Sequence, residues 1–130
     1  MSQVNFADLL GKPFVNEGRG PEEYDCYGLA REVFGRFGIK LPDYRISCEN
    51  ASSINSTIDT EKVSTWQECE DSQVPSLLVM RFNSHLYNHV GVYIGSGRFI
   101  HTAEKTGVRI ENINSLYWQH RIEGYYIPRR

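Results

Sequence analysis

Only three cysteines, Cys26, Cys48 and Cys69, occur among the 130 residues, and no two form a Cys-x-x-Cys pair. That scarcity speaks against a structural zinc site, whose ligands cluster more tightly, so no metal or cofactor is expected. An odd set of cysteines in a chain long enough to bury its own core also speaks against a disulfide framework. Charge of one sign is lacking too. The formal net charge is −2, which removes any global electrostatic case for nucleic-acid binding. The closing Pro128-Arg129-Arg130 is a small basic tail and reads as a solvated terminus. No apolar run approaches the roughly 20 residues that cross a bilayer, so no membrane insertion is expected. Met1 to Asp8 shows no basic start followed by an apolar stretch. No secretory signal is therefore visible, and the expectation is synthesis in the cytoplasm. Action outside the cell would then need delivery by other means. There is no internal repeat, low-complexity stretch or linker, which points to one domain over 1–130.

What is present is apolar enough to fold: 40% hydrophobic and 12% aromatic residues argue against disorder. Asn5 to Leu10 reads as a short helix stopped by Gly11 and Pro13. Phe14 to Glu23 is a polar loop rich in Gly and Pro. Asp25 caps a helix whose apolar positions Cys26, Leu29, Ala30, Val33 and Phe37 follow the 3.6-residue period, ending near Gly38. That period puts Cys26 on the buried face at the first turn. Between 50 and 70 one further helix is expected, with Trp66 anchored in the core. From Pro75 the pattern turns to strands: Ser76 to Phe82, His89 to Ile94, Arg98 to Ala103, Val108 to Ile110 and Ile122 to Ile127. Gly95-Ser96-Gly97 and Lys105-Thr106-Gly107 are turns, and Asn114 to His120 a helical turn. Helices first and an antiparallel meander afterwards make an α+β fold.

Three of these parts suit a nucleophile site. A thiol is mostly protonated at neutral pH, and a helix N-terminus stabilises its anion. An imidazole stabilises the thiolate further and carries the proton to a leaving group, provided a third group orients it. His89 and His101 flank the Gly95-Ser96-Gly97 turn. With that turn centred on Ser96, position 89 lies opposite about 103, and His101 is its diagonal neighbour on the same face. A slip of one residue would part the two rings. His85 and His120 read as solvated loop residues. Tyr24, Tyr27, Tyr93, Tyr125 and Tyr126 read as core or rim aromatics.

Tyr24-Asp25-Cys26-Tyr27-Gly28-Leu29-Ala30-Arg31, His89-Val90-Gly91-Val92-Tyr93-Ile94 and Gly97-Arg98-Phe99-Ile100-His101 stand in one order. Ile122-Glu123-Gly124-Tyr125-Tyr126 follows them. The combination resembles the NlpC-type cell-wall peptidases, papain-like cysteine hydrolases that cut short peptides of bacterial peptidoglycan. Gly18 to Arg31 and Gly38 to Tyr44 resemble most their phage and prophage tail-associated branch. The resemblance implies a papain-like α+β fold with N-terminal helices packed on a central antiparallel sheet. It implies Cys26 as nucleophile, His89 as general base and acid, and His101 as the orienting residue. The Cys26 backbone N–H would serve the oxyanion. It further implies a peptidoglycan stem peptide as substrate, cut at the γ-D-glutamyl bond to a diamino acid, and phage tail proteins as partners. Asp25 matches a residue that helps bind a free amine of the stem peptide, and Tyr27 and Phe14 fall at substrate-facing positions. Phe14 stands where many members carry tyrosine, Tyr27 where serine or tryptophan is usual, and Pro75-Ser76-Leu77 where Pro-Gly-Asp is usual. These departures leave other readings open. One is another amide hydrolase or acyltransferase on the same scaffold, and one a non-catalytic tail structural module. A zinc enzyme using Cys26, His89 and His101 is a minor fourth.

Overall fold

The computed structural model describes residues 4–44, 46–47 and 50–129. Cys48 and Arg130 lie outside the described residues, as do Met1 to Gln3. A 3-10 turn, Ala7–Leu9, stands where a short helix was expected. Gly11 and Pro13 leave too few residues for α-helical bonding to propagate. Helix α1 is Cys26–Arg36 and helix α2 is Ala51–Ser64. The strands are β1 Trp66–Cys69, β2 Ser76–Met80, β3 His89–Gly95, β4 Arg98–Ala103, β5 Gly107–Asn112 and β6 Ile122–Pro128. They form one antiparallel sheet in the order β1-β6-β2-β3-β4-β5.

Asp25 begins α1 as expected. Its Oδ1 accepts the Gly28 N–H at 2.6 Å and so satisfies one of the donors that a helix start leaves over. The helix ends where Gly38 takes φ of +80°, with Ile39 N–H donating back to the Phe34 carbonyl. Leu29, Ala30, Val33 and Phe34 form the buried stripe of α1, which packs on β3 and β4. They share a cluster with Leu77, Val79, Val90, Val92 and Ile100 from the sheet. The alternate residues Leu78, Met80, Tyr93 and Phe99 form a second cluster with Trp118.

One expectation needs correction. Strand β1 was absent from the sequence reading, although Trp66 is buried as anticipated. Four residues are too few to show a period, and pairing with β6 is what makes them a strand. Asn114 to His120 is a run of turns with one helical hydrogen bond, Gln119 N–H to the Ser115 carbonyl at 3.0 Å, as expected of a helical turn. Leu116, Tyr117 and Trp118 are consecutive and offer no helical stripe, and only Trp118 is drawn inside.

One close approach fixes the start of α1. A Cβ on Gly28 would lie 2.0 Å from the Gly18 carbonyl oxygen, so the 14–24 loop rests directly on the first helical turn. Gly28→Ala is expected to lower stability by about 1–3 kcal/mol, as overpacking of a filled interior does. Urea unfolding of the two proteins checks this, and equal midpoints would show that the loop yields freely.

Candidate active site

Cys26 is the first residue of α1, beside the N–H groups and positive dipole end of the helix. His89 is the first residue of β3. Both line two cavities that meet at their side chains. The first is an apolar chamber of about 90 Å³, walled by Tyr27, Ile54, Ile58, Trp66, Leu77 and Tyr126. That volume exceeds the space one water needs, and its lining offers little to hold water. The second is an open cleft of about 630 Å³ that also takes in Phe14, Phe82, His101, Glu104, Glu111 and Trp118.

Antiparallel pairing sets the histidines. Val92 lies opposite Ile100 and Tyr93 opposite Phe99. Counting three residues from the first pair puts 89 opposite 103, the register expected from the turn. His89 Nε2 and His101 Nδ1 are hydrogen-bonded at 2.8 Å, with the rings at 81°. His101 Nε2 contacts Glu111 Oε2 at 2.5 Å. The two imidazoles are 5% and 2% exposed, so nearly all their contacts are to protein. Trp118 stacks on His89 at 22° and meets His101 edge-on, while Phe82 flanks His89 at 5.2 Å. Burial, and then the neighbouring His101, push the His89 pKa well below the usual imidazole value. Burial lowers that of His101 as well, opposed by its bond to Glu111.

A thiol at a helix start, a buried imidazole and a hydrogen-bonded second imidazole therefore share one cleft. The sequence profile of the NlpC/P60 family matches residues 11–126. The chain belongs to the NlpC/P60 family. It is 31% identical over 116 residues to the probable endopeptidase p60 of Listeria innocua, covering 89% of this chain and 22% of that protein. It is 27% identical over 117 residues to the murein DD-endopeptidase MepS/murein LD-carboxypeptidase of Escherichia coli K12, covering 89% of this chain and 55% of that one. The chain thus spans between about a fifth and just over half of these curated relatives' length. An NLP/P60-family lipoprotein-like structure from Staphylococcus aureus matches with TM-score 0.61 at 26% identity, covering 91% of this chain and 37% of that one. The architecture is the α+β NlpC/P60 fold, two helices before a six-stranded antiparallel sheet.

The substrate-facing positions of the NlpC/P60 reading are spread around the cleft. Asp25 is 4% exposed, and its Oδ1 also accepts from Arg19 Nη1 at 2.8 Å. Its charge is thus matched internally, and Arg19 is tied further to Asp43 at 2.9 Å and to the Tyr44 carbonyl at 2.7 Å. Tyr27 donates its hydroxyl to the Pro42 carbonyl at 2.6 Å, and burial pushes its pKa far above the usual phenol value. Phe14 is half-buried in the cleft wall and bridges Tyr24 through its backbone. His85 and His120 are exposed. Among the described residues no His, Cys, Asp and Glu group is arranged to hold a metal ion. The two ring nitrogens that face each other, on His89 and His101, are spent on one another.

Sequence reasoning missed Glu111, Trp118 and Arg19. For Glu111 a signal existed: the turn over 105–107 sets His101 opposite Arg109 and Phe99 opposite Glu111. Glu111 is therefore a diagonal neighbour of His101 on one face.

The depressed histidine pKa values carry a stability consequence. An unfolded imidazole titrates near pH 6.5, whereas the folded ones resist protonation. Between those limits the unfolded chain binds more protons, so stability present above about pH 6.5 is lost as pH falls. Urea unfolding at about pH 7.5 and about pH 5.5 should show a lower midpoint at the acidic value, with proton uptake on unfolding in calorimetry. An absence of uptake would contradict burial of neutral rings.

Proposed function

We propose that this chain is the catalytic part of a cysteine peptidase that hydrolyses peptidoglycan stem peptides. The observation that carries the reading is that Cys26 and His89 line the same cleft while His89 Nε2 is taken up by His101, which leaves Nδ1 as the nitrogen that would serve Cys26. In this mechanism Nδ1 takes the Sγ proton and the thiolate attacks the scissile carbonyl carbon. The oxyanion forms beside the Cys26 N–H at the start of α1. His89 then protonates the leaving amine, and the acyl group remains on Sγ as a thioester. A water attacks that thioester with His89 again as base, which returns the thiol and releases the acid. His101 holds the His89 ring in plane throughout.

Wall peptides as substrates are supported by the printed activities of the relatives, an endopeptidase and a murein endopeptidase. The finer reading, cleavage between γ-D-glutamate and a diamino acid, rests on the resemblance of the Cys26 and His89 blocks. Carriage by a phage or prophage tail to the cell wall rests on the resemblance of Gly18 to Arg31 and Gly38 to Tyr44. One observation favours a second reading, an amide hydrolase or acyltransferase with another substrate. The chamber beside Cys26 is apolar and suits an aliphatic acyl group better than a charged peptide side chain.

Digestion of defined muropeptides with mass analysis of the products separates these readings. A new amine and acid from the wild type are expected, with Cys26→Ala and His89→Ala each slower by about three decades or more. Equal product from wild type and Cys26→Ala would remove the peptidase reading, and turnover of acyl esters alone would favour the second. Iodoacetamide at about pH 6.5 should label Cys26 faster than Cys69, whose thiol pKa is raised by burial. Equal labelling would favour a non-catalytic module.

A further inference from the structure

Hydrogen-bond bookkeeping around the two imidazoles reaches a residue that the nucleophile–base–orienter scheme leaves out. Glu111 Oε2 lies 2.5 Å from His101 Nε2, and the pairing across β4 and β5 holds the two side chains on one face. A carboxylate oxygen only accepts. His101 Nε2 must therefore carry a proton. A neutral imidazole has one N–H, so His101 Nδ1 is then a lone pair. Across the 2.8 Å contact the donor must be His89 Nε2, which leaves the lone pair of His89 on Nδ1. Any other assignment for neutral rings sets two lone pairs or two protons against each other at one of the two contacts. Burial, which disfavours the charged form of both rings, keeps this neutral-ring argument in force near neutral pH.

We propose that Glu111 is a positioning residue whose carboxylate fixes the protons on both histidines, so that His89 offers an unprotonated Nδ1 to the Cys26 thiol. The inference deepens the peptidase reading and acts through two hydrogen bonds on His89. Without the acceptor, His101 is free to place its proton on Nδ1 and donate to His89 Nε2. His89 would then carry its own proton on Nδ1, where it cannot receive the one from sulfur. The side chain of Glu111 is 25% exposed and lines the cleft, so its carboxylate keeps contact with solvent while it holds the ring. Trp118 and Phe99 pack against His101 and leave Glu111 as the partner of Nε2 among the described residues.

The test is a nitrogen-15 NMR spectrum of the histidine rings at about pH 7.5, which reads the tautomers without any substrate. Wild type should show protonated Nε2 and unprotonated Nδ1 on both His89 and His101. Glu111→Leu, which removes the acceptor, should show mixed tautomers. On a cleavable muropeptide or ester its kcat should fall about 10- to 10³-fold with KM within about twofold, the pattern of a misdirected base. Glu111→Asp, which keeps an acceptor, should retain the wild-type tautomers and recover part of the rate. Wild-type rings protonated on Nδ1 would overturn the proposal, as would a Glu111→Leu protein with wild-type tautomers or wild-type kcat. The wild-type spectrum decides even where the leucine variant fails to fold. Because the spectrum needs no turnover, a failure of the peptidase reading and a failure of this one remain separate results.

Discussion

The hydrogen bond between His89 Nε2 and His101 Nδ1 is the constraint on which the site depends, and it exists because of strand register. The two rings belong to different strands and meet only while β3 and β4 keep the pairing set at Gly95-Ser96-Gly97. A shift by one residue would turn His101 to the opposite face and leave a buried imidazole without a partner. Register is protected by more than the turn. Gly91 sits where a side chain would press on Met80, the Ile100 carbonyl and Phe99, each within 3.1 Å of an added Cβ. Phe99 and Trp118 fill the space beside the histidines and leave little room for water. Each contact that fixes the hairpin thereby also fixes His89, the proposed base.

The other half of the site is held by charge rather than by packing. Asp25 caps α1 and receives Arg19, and Arg19 in turn gathers Asp43 and the Tyr44 carbonyl. The loop before the helix and the segment after it are thus tied through one guanidinium, whose planar fork can serve several acceptors at once. Gly28 lets the loop backbone approach the first turn. Cys26 lies between these ties. Helix α2 has no buried residue and is held over the apolar chamber by side-chain bonds, Tyr44 to Glu61 at 2.5 Å and the Tyr87 N–H to Asn55 at 2.9 Å. Fewer apolar contacts secure it than secure α1.

Legibility in the sequence followed the range of the interaction. The cap at Asp25, the stripe of α1 and the register around Ser96 are local, and each could be read from spacing alone. The pairing of β1 with β6 joins residues about 60 positions apart, and nothing within Trp66–Cys69 announces it. The turns around Trp118 are local and legible, but the burial of its ring in a distant cluster is not. Glu111 was within reach, because the second turn fixes its register to His101 as firmly as the first fixes His89. A glutamate on an outer strand reads as a solvated charge unless the strand beside it is known to carry a buried acceptor or donor. Arg19 is a similar case: its partner Asp25 had already been given a role as a cap.

The departures at Phe14 and Tyr27 acquire a physical meaning in this frame. Phe14 lines the cleft without a hydroxyl to offer, so in the proposed mechanism the developing oxyanion turns to the N-terminal end of α1. That places more weight on the geometry of the first turn, where Asp25, Arg19 and Gly28 converge. Tyr27 has its hydroxyl bound to the Pro42 carbonyl and presents its ring to the apolar chamber. One side of Cys26 is thereby lined almost wholly by apolar groups, and the other is a wider cleft that carries polar as well as apolar groups. A substrate that bridges the two would leave water on one flank of the scissile bond only, which strengthens every charge interaction at Cys26 while keeping a route for the water that releases the acyl group.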